Sequence, residues 1–311
     1  MQVEAVERAA PAPRGRRHAH LRVGVMFMLP AGLVIAIFLI GPVLYALYVS
    51  GTNMALTGTG AATPQWIGLD NFNRILHDAA FFNALRISLA YLVGSALIGQ
   101  AVLGLLLAML MRNRKRLFKS VLGSIVIAAW IIPDVVAGFL WSAFLAGGPH
   151  SMNANGLFNT ILATFGLPQH SWLQDYPMAS VIVANTWRGT AFSMLLYASA
   201  LEGIPPELYE AASIDGAGLW ARVRRITLPL LKGTIATDLV LITLATLSDF
   251  TLVWVLTAGG PGFKTQLLTI YTYQQAFKFY ELGYGTAISL LILAVGAIFS
   301  LIYIRVLRVE L

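Results

Sequence analysis

The sequence contains no cysteine. That excludes disulfides, thiolate metal sites and thiol nucleophiles, and it leaves the redox compartment undetermined. Charge is scarce as well: Asp, Glu, Lys and Arg supply 11% of the 311 residues, where ordinary soluble domains carry about 25%. With 58% hydrophobic residues and a mean hydropathy of +0.73, the chain has too few charges to coat a soluble globule of its size. Catalytic patterns are missing too. No Ser-His-Asp, paired-carboxylate or metal-ligand spacing occurs, and the five histidines are scattered through the N-terminal tail and the loops. No internal repeat or long low-complexity tract stands out. The composition therefore calls for no cofactor and no metal.

What is present is a series of long apolar runs. A helix crossing ~30 Å of hydrocarbon needs ~20 mostly apolar residues. Six stretches meet that length: Gly24 to Val49, Ala84 to Met111, Leu117 to Leu145, Met178 to Leu201, Gly233 to Thr257 and Gly285 to Val306. The fold class this predicts is all-α, a polytopic membrane protein with six transmembrane helices. A basic tail, 1–23, precedes a membrane domain, 24–311. The first run follows cations as a secretory signal does, but it is long and lacks a small-x-small cleavage site, so it reads as an uncleaved span.

The net charge of +7 would suggest nucleic acid in a soluble protein, but in a bilayer the placement of the cations is more telling. Sixteen of the 21 Lys and Arg fall in the N-terminal tail, in 112–119, in 222–232 and at the C-terminal end. Cationic short loops resist transfer across a membrane. Six spans with this bias put both termini and the 203–232 loop in the cytoplasm, and nucleic acid is not an expected partner.

On the outer side, Gly51 to Pro64 reads as a linker. Asp70 then looks like the N-cap of a short amphipathic helix, with Phe72, Ile75 and Leu76 on one face and Asn71, Arg74 and Asp78 on the other. Pro133 predicts a break inside the third span, and Pro177 one at the start of the fourth. The outer loop through Tyr176 is long for a simple connection, hence either functional or disordered. Gly259 to Thr265 has a glycine cluster before Lys264-Thr265, but Phe263 stands where a phosphate loop needs glycine, so nucleotide binding is not expected there.

The polar interruption between spans four and five carries the most specific pattern. Glu210-Ala211-Ala212 is followed after three residues by Gly216 and after nine more by Ile226, Leu228 and Pro229. Pro205-Pro206 ends one helix, and a short helix from Pro206 to Asp215 follows. Gly216 and Gly218 allow the left-handed backbone that stops it. A second short segment, Leu219 to Thr227, leads into span five. The methyl-only surface of Ala211 and Ala212 lets a partner approach closely at almost no cost in rotamer entropy.

This pattern resembles the cytoplasmic coupling loop of permease subunits in binding-protein-dependent ABC importers. Outside the loop the chain is similar, over almost its whole length, to the carbohydrate branch of that family, the maltose and glycerol-phosphate type permeases. The matching segments include Leu29-Pro30, Pro42-Val43-Leu44-Tyr45, Ile67 to Phe72, Ile132-Pro133, Trp172-Leu173, Trp187 and Leu256 to Pro261. The resemblance implies a type I ABC importer permease in the bacterial plasma membrane. It implies that Glu210, Ala211, Ala212, Asp215, Gly216, Ile226, Leu228 and Pro229 couple to an ATPase. It also implies partners: a second homologous permease subunit, two copies of an ATP-binding subunit, and an extracytoplasmic solute-binding protein that delivers a sugar or polyol. ATP hydrolysis would then reside on the separate subunit. A permease for a non-sugar solute stays open, because other branches share the loop.

The charges inside the spans have two readings. Arg188 lies about ten residues into span four, where a lone cation costs ~2.5 to 3.5 kcal/mol or more without a partner or water. In one reading it forms a structural ion pair with Asp134 or Asp249. In the other, Trp187, Arg188, Asp249, Asp134 and Ser193 face a substrate path. Asp238 is close enough to the cytoplasmic end to reach water. An ion-coupled secondary transporter using these charges is the alternative function; it calls for inverted repeats with matching broken helices, and no convincing halves are visible.

Overall fold

The computed structural model describes residues 26–150, 152 and 154–307. The N-terminal tail, 1–23, and Arg308 lie outside the described residues. In chain order the main helices are α1 (Met26–Ser50), α2 (Asp70–Leu76), α3 (Ala79–Arg112), α4 (Arg116–Ile131), α5 (Asp134–Phe144) and α6 (Leu157–Thr164). They continue as α7 (Pro177–Glu202), α8 (Pro206–Ile214), α9 (Leu219–Leu247), α10 (Thr251–Thr257), α11 (Leu268–Tyr273) and α12 (Leu282–Leu307). Among the described residues the only extended pairing is a single antiparallel bridge between Thr52 and Trp66.

The apolar runs become helices, but not six uniform ones. By length and composition, α1, α3, α9 and α12 can cross a membrane, and α4 with α5 makes a fifth if that pair counts as one span bent by 105°. The sequence predicts six. The difference lies in α7, which is 26 residues long but carries Asn185, Thr186, Arg188, Thr190 and Ser193 along its middle.

Two breaks shape the molecule. Pro133 has no N–H to continue α4 and forces the preceding Ile132 to an extended conformation (φ −62°, ψ 127°). The second break has no proline. The expected fifth span does not run to Thr257; α9 ends at Leu247 and α10 restarts at Thr251 after Ser248, Asp249 and Phe250. At the other end, Leu219 to Thr227 is not a separate segment but the start of α9. A π-helical stretch, Val223–Thr227, precedes Pro229, and its wider turn accommodates the hydrogen bond that Pro229 cannot donate.

Close approach fixes α3 against α7. A Cβ at Gly99 would lie 2.2 Å from Thr186 Oγ1, and one at Gly104 would lie 2.5 Å from Ser193 Cβ, so the contact surface is backbone to side chain with no room for a methyl. Below this contact, Ala108, Met194, Tyr197, Leu201 and Leu231 form a core joining α3, α7 and α9. On the opposite side of the helix breaks, Tyr91, Val181, Leu252 and Ile270 form another.

The segments between α1 and α3 and before α7 are tied down by buried polar groups. Asp70 is the first residue of α2, not its cap. Asn71 turns inward and donates to the carbonyls of Ser50 (2.8 Å) and Thr52 (2.9 Å), because those helix-end carbonyls lack helical partners. Asp78 caps α3 by accepting from the amides of Ala80 and Phe81, and it also receives the hydroxyls of Tyr271 and Tyr284. Burial alone would raise the Asp78 pKa; the two tyrosine hydroxyls and the two amides outweigh it and hold the carboxyl below its ordinary range. Before α7, the buried Asn159 donates to the carbonyls of Ala146 and His170, both at 3.0 Å, which ties α6 to the segments on either side of it.

Candidate functional site

The two helix breaks meet the middle of α7. Asp134 begins α5 just after the first break, Asp249 sits in the second, and Arg188 is the twelfth residue of α7, ~17 Å along its axis at ~1.5 Å per residue. Together they line a cavity of about 470 Å³, within the ~300–1,000 Å³ typical of small-molecule sites. Broken helices leave backbone and polar side chains at mid-membrane depth only where a cavity or protein receives them.

Arg188 Nη2 pairs with Asp134 Oδ1. Asp249 is bound differently: the buried Tyr91 hydroxyl donates to its Oδ2 at 2.5 Å, while its Oδ1 is buried without a protein partner. Arg188 Nε is likewise unpartnered. Two residues that line the cavity beside the ion pair thus each hold a buried polar atom without a hydrogen-bond partner. Gln100, Asn185 and Thr246 add neutral polar groups, and Trp130, Phe192 and Phe250 add aromatic faces. This mixture suits a polyhydroxylated solute, which offers donors, acceptors and apolar C–H faces.

The sequence-predicted residues separate here. Asp134, Arg188 and Asp249 converge. Trp187 does not: one helical step, ~100° of rotation, turns it to a second, apolar cavity with Leu140, Trp141 and Phe144. Ser193 is fully buried against Gly104, away from the cavity. Asp238 does not reach water; it is fully buried and accepts from the Tyr197 hydroxyl at 2.6 Å. Sequence reasoning missed Tyr91, Gln100 and Asn185. The last two had a readable signal, as lone amides inside apolar runs.

At the other end of α7 and α9 lies the elbow. Helix α8 presents Glu210 and Ala211 to the outside, with Ala212 half-buried, and Asp215 and Gly216 exposed at its end. Gly216 adopts φ +74°, and the Ala217 amide bonds back to the Ala212 carbonyl at 2.8 Å, closing the helix. Gly218 has an ordinary negative φ of −66° and precedes α9, so only one of the two glycines makes the left-handed stop.

Three contacts brace the elbow. Tyr209 Oη and Thr227 Oγ1 are 2.9 Å apart, Arg222 donates to Ser213 Oγ at 2.9 Å, and the Arg112 guanidinium lies 4.0 Å over the Tyr209 ring. Ile226 and Leu228 are half-buried and Pro229 is exposed, all within the first turns of α9. Ile214, Leu219 and Trp220 project outward at 87%, 74% and 72% exposure, an apolar patch beside the two alanines.

Residues 100–308 match the family described as "Binding-protein-dependent transport system inner membrane component". The chain belongs to that family. This permease is 31% identical over 295 residues to the "Trehalose/maltose transport system permease protein MalF" of Thermococcus litoralis, a match covering 93% of the chain and 95% of that protein. It is 32% identical over 294 residues to the "Trehalose transport system permease protein SugA" of Mycobacterium tuberculosis, covering 94% and 90%.

The permease also shares its fold with a chain of a bacterial ABC transporter involved in the import of the acidic polysaccharide alginate. The TM-score is 0.77 at 24% identity, with 94% of this chain and 97% of that one covered. A second structure, of the bacterial alginate transporter with its alginate pentasaccharide-bound periplasmic protein, gives 0.78 at 23% identity, covering 95% and 99%. The all-helical architecture is therefore that of type I ABC permeases, and the chain is an inner membrane component of a binding-protein-dependent transport system.

Proposed function

We propose that this permease imports a carbohydrate, a sugar or polyol, through the cavity at the two helix breaks, driven by ATP hydrolysis on a separate subunit. One arrangement carries the reading: α7 and α9 both line the polar cavity at one level, and the elbow joins the same two helices at another. A displacement of the elbow moves both cavity walls, because helices transmit it rigidly along their axes. The names of the relatives supply the solute class. The exposed Glu210-Ala211 surface with Ile214, Leu219 and Trp220 is the seat for an ATP-binding subunit; a contiguous apolar patch rimmed by charge suits a protein partner better than water.

The partners in this reading are a second related permease that closes the cavity, two copies of the ATP-binding subunit, and an extracytoplasmic binding protein on the outer loops. The bent α4–α5 pair and α7 complete six crossings, with both termini and the elbow in the cytoplasm. Asp134, Arg188 and Asp249 contact solute; Trp187 and Ser193 act in packing.

Uptake by proteoliposomes holding the complete assembly tests this. The expected result is accumulation of a labelled sugar that requires ATP and the binding protein, and its loss in Glu210→Lys with membrane insertion intact. Uptake by this chain alone, driven by a proton gradient, contradicts it.

A further inference from the structure

The charges lining the cavity do not balance. Asp134 and Arg188 neutralise each other as an ion pair. Asp249 faces the same space with no cation of its own: its only side-chain partner is the neutral Tyr91, and Oδ1 is buried and unpartnered. With both carboxylates ionised, these three groups on the cavity wall carry a net charge of −1. Trp130, Gln100, Asn185, Thr246 and Phe250, which share the wall, add no charge.

A surplus charge in a low-dielectric site acts on ligands of either sign. A hydroxyl both donates and accepts, so it can meet the Asp249 carboxylate or the Arg188 guanidinium without bringing a charge of its own. A carboxylate, sulfonate or phosphate brought to the same place meets Asp249 as a like charge, and the one available cation is already engaged by Asp134. Pulling Arg188 toward such an anion would leave two carboxylates facing each other.

We propose that Asp249 is a specificity determinant that makes this permease select uncharged sugars and reject anionic ones. It acts by exclusion as much as by attraction. This rests on the reading above that the cavity is the sugar path, and it names the substrate class of that path. A chain of the alginate transporter shares this fold and that transporter imports an acidic polysaccharide, so the fold by itself does not dictate the sign of the cargo.

The test is equilibrium binding to the complete permease–ATPase assembly in nanodiscs, without the binding protein, so that only the cavity discriminates. The probes are labelled trehalose and maltose, each beside its counterpart bearing a C6 carboxylate in place of a hydroxymethyl group. Wild type is expected to bind a neutral probe and to bind the matching uronate about tenfold or more weakly. Asp249→Asn keeps an acceptor for Tyr91 and should bring the pair to near parity, whereas Asp249→Glu should keep them apart. Where Asp249→Asn fails to assemble, Ser248→Lys, at an exposed position on the same wall, should produce the same convergence.

Equal binding of neutral and anionic probes by wild type overturns the proposal, as does an unchanged ratio in both Asp249→Asn and Ser248→Lys. Those results leave the sugar path standing. Binding of no probe, with ATP-driven sugar uptake intact, removes the cavity as sugar site and the selectivity with it.

Discussion

The Tyr197 hydroxyl donates to Asp238 Oδ2 at 2.6 Å, joining α7 to α9 between the elbow and the cavity. Both residues are fully buried, and no salt bridge among the described residues involves Asp238. The bond ties the two helices together over the stretch that carries motion in the proposed coupling. Tyr197→Phe leaves the carboxylate without its donor, at a cost of about 1–3 kcal/mol for an unsatisfied buried polar group. The expected outcome is a lower unfolding temperature in detergent and a drop in sugar transported per ATP hydrolysed, with ATPase activity itself retained. An unchanged transport-to-hydrolysis ratio would show the bond to be packing only.

The two elbow glycines should respond differently. Gly216 sits at φ +74° with open space around it, so Gly216→Ala meets only the backbone penalty for left-handed geometry, roughly 1–2 kcal/mol. Coupled uptake should fall several-fold while the protein inserts normally. Gly218, at φ −66°, should accept alanine with little effect. Equal responses at both positions, measured as uptake at matched expression, contradict the assignment of the stop to Gly216.

The contact between α3 and α7 predicts a suppressor. Gly104→Ala places a methyl against the Ser193 side chain and the Met194 backbone, and overpacking of this kind costs about 1–3 kcal/mol. Ser193→Gly removes only the nearest opposing atom, the Ser193 Cβ; the Met194 amide nitrogen at 2.8 Å and the Ser193 carbonyl carbon at 3.0 Å remain, so the double variant should recover part of the lost stability and not all of it. Additive losses in a thermal unfolding cycle would rule the contact out.

Asp78 predicts an acid-sensitive fold. Its carboxyl is held below the ordinary range in the fold, so its contribution is fully present above the unfolded-state pKa and is lost as pH falls through the lower folded value. Stability measured from neutral pH down into the acid range should decline for wild type. Asp78→Asn should start lower and flatten the acid limb. Identical acid limbs would show that Asp78 does not contribute.

The parts of this molecule that follow from local chemistry were legible in the sequence. Apolar run length announced the helices, Pro133 announced the first break, and Glu210 to Pro229 announced the elbow through proline, glycine and alanine at fixed offsets. The pairing of Arg188 with Asp134 was one of two options that hydrophobic cost alone could not separate. What was not legible depends on tertiary contact. The break at Ser248 to Phe250 has no proline or glycine and is stabilised by what it meets, including Thr269, which donates to the Asp249 carbonyl at 2.6 Å. Tyr91 reads as an ordinary apolar-run aromatic until Asp249 is placed beside it. Asp238, near a helix end in sequence, is buried because α9 begins earlier, at Leu219, than the apolar run suggests. Trp187 and Arg188 are neighbours in sequence and face different cavities, a separation that helical geometry imposes and that linear proximity hides.

The absence of cysteine makes the central claim directly measurable, since an introduced thiol is the chain's only one. Ala211→Cys, on the exposed face of α8, should cross-link to a thiol on the ATP-binding subunit of an assembly that still transports, with a yield that changes between nucleotide-free and ATP-bound states. A thiol that labels freely with a water-soluble maleimide throughout transport, and never joins the ATP-binding subunit, would contradict the account.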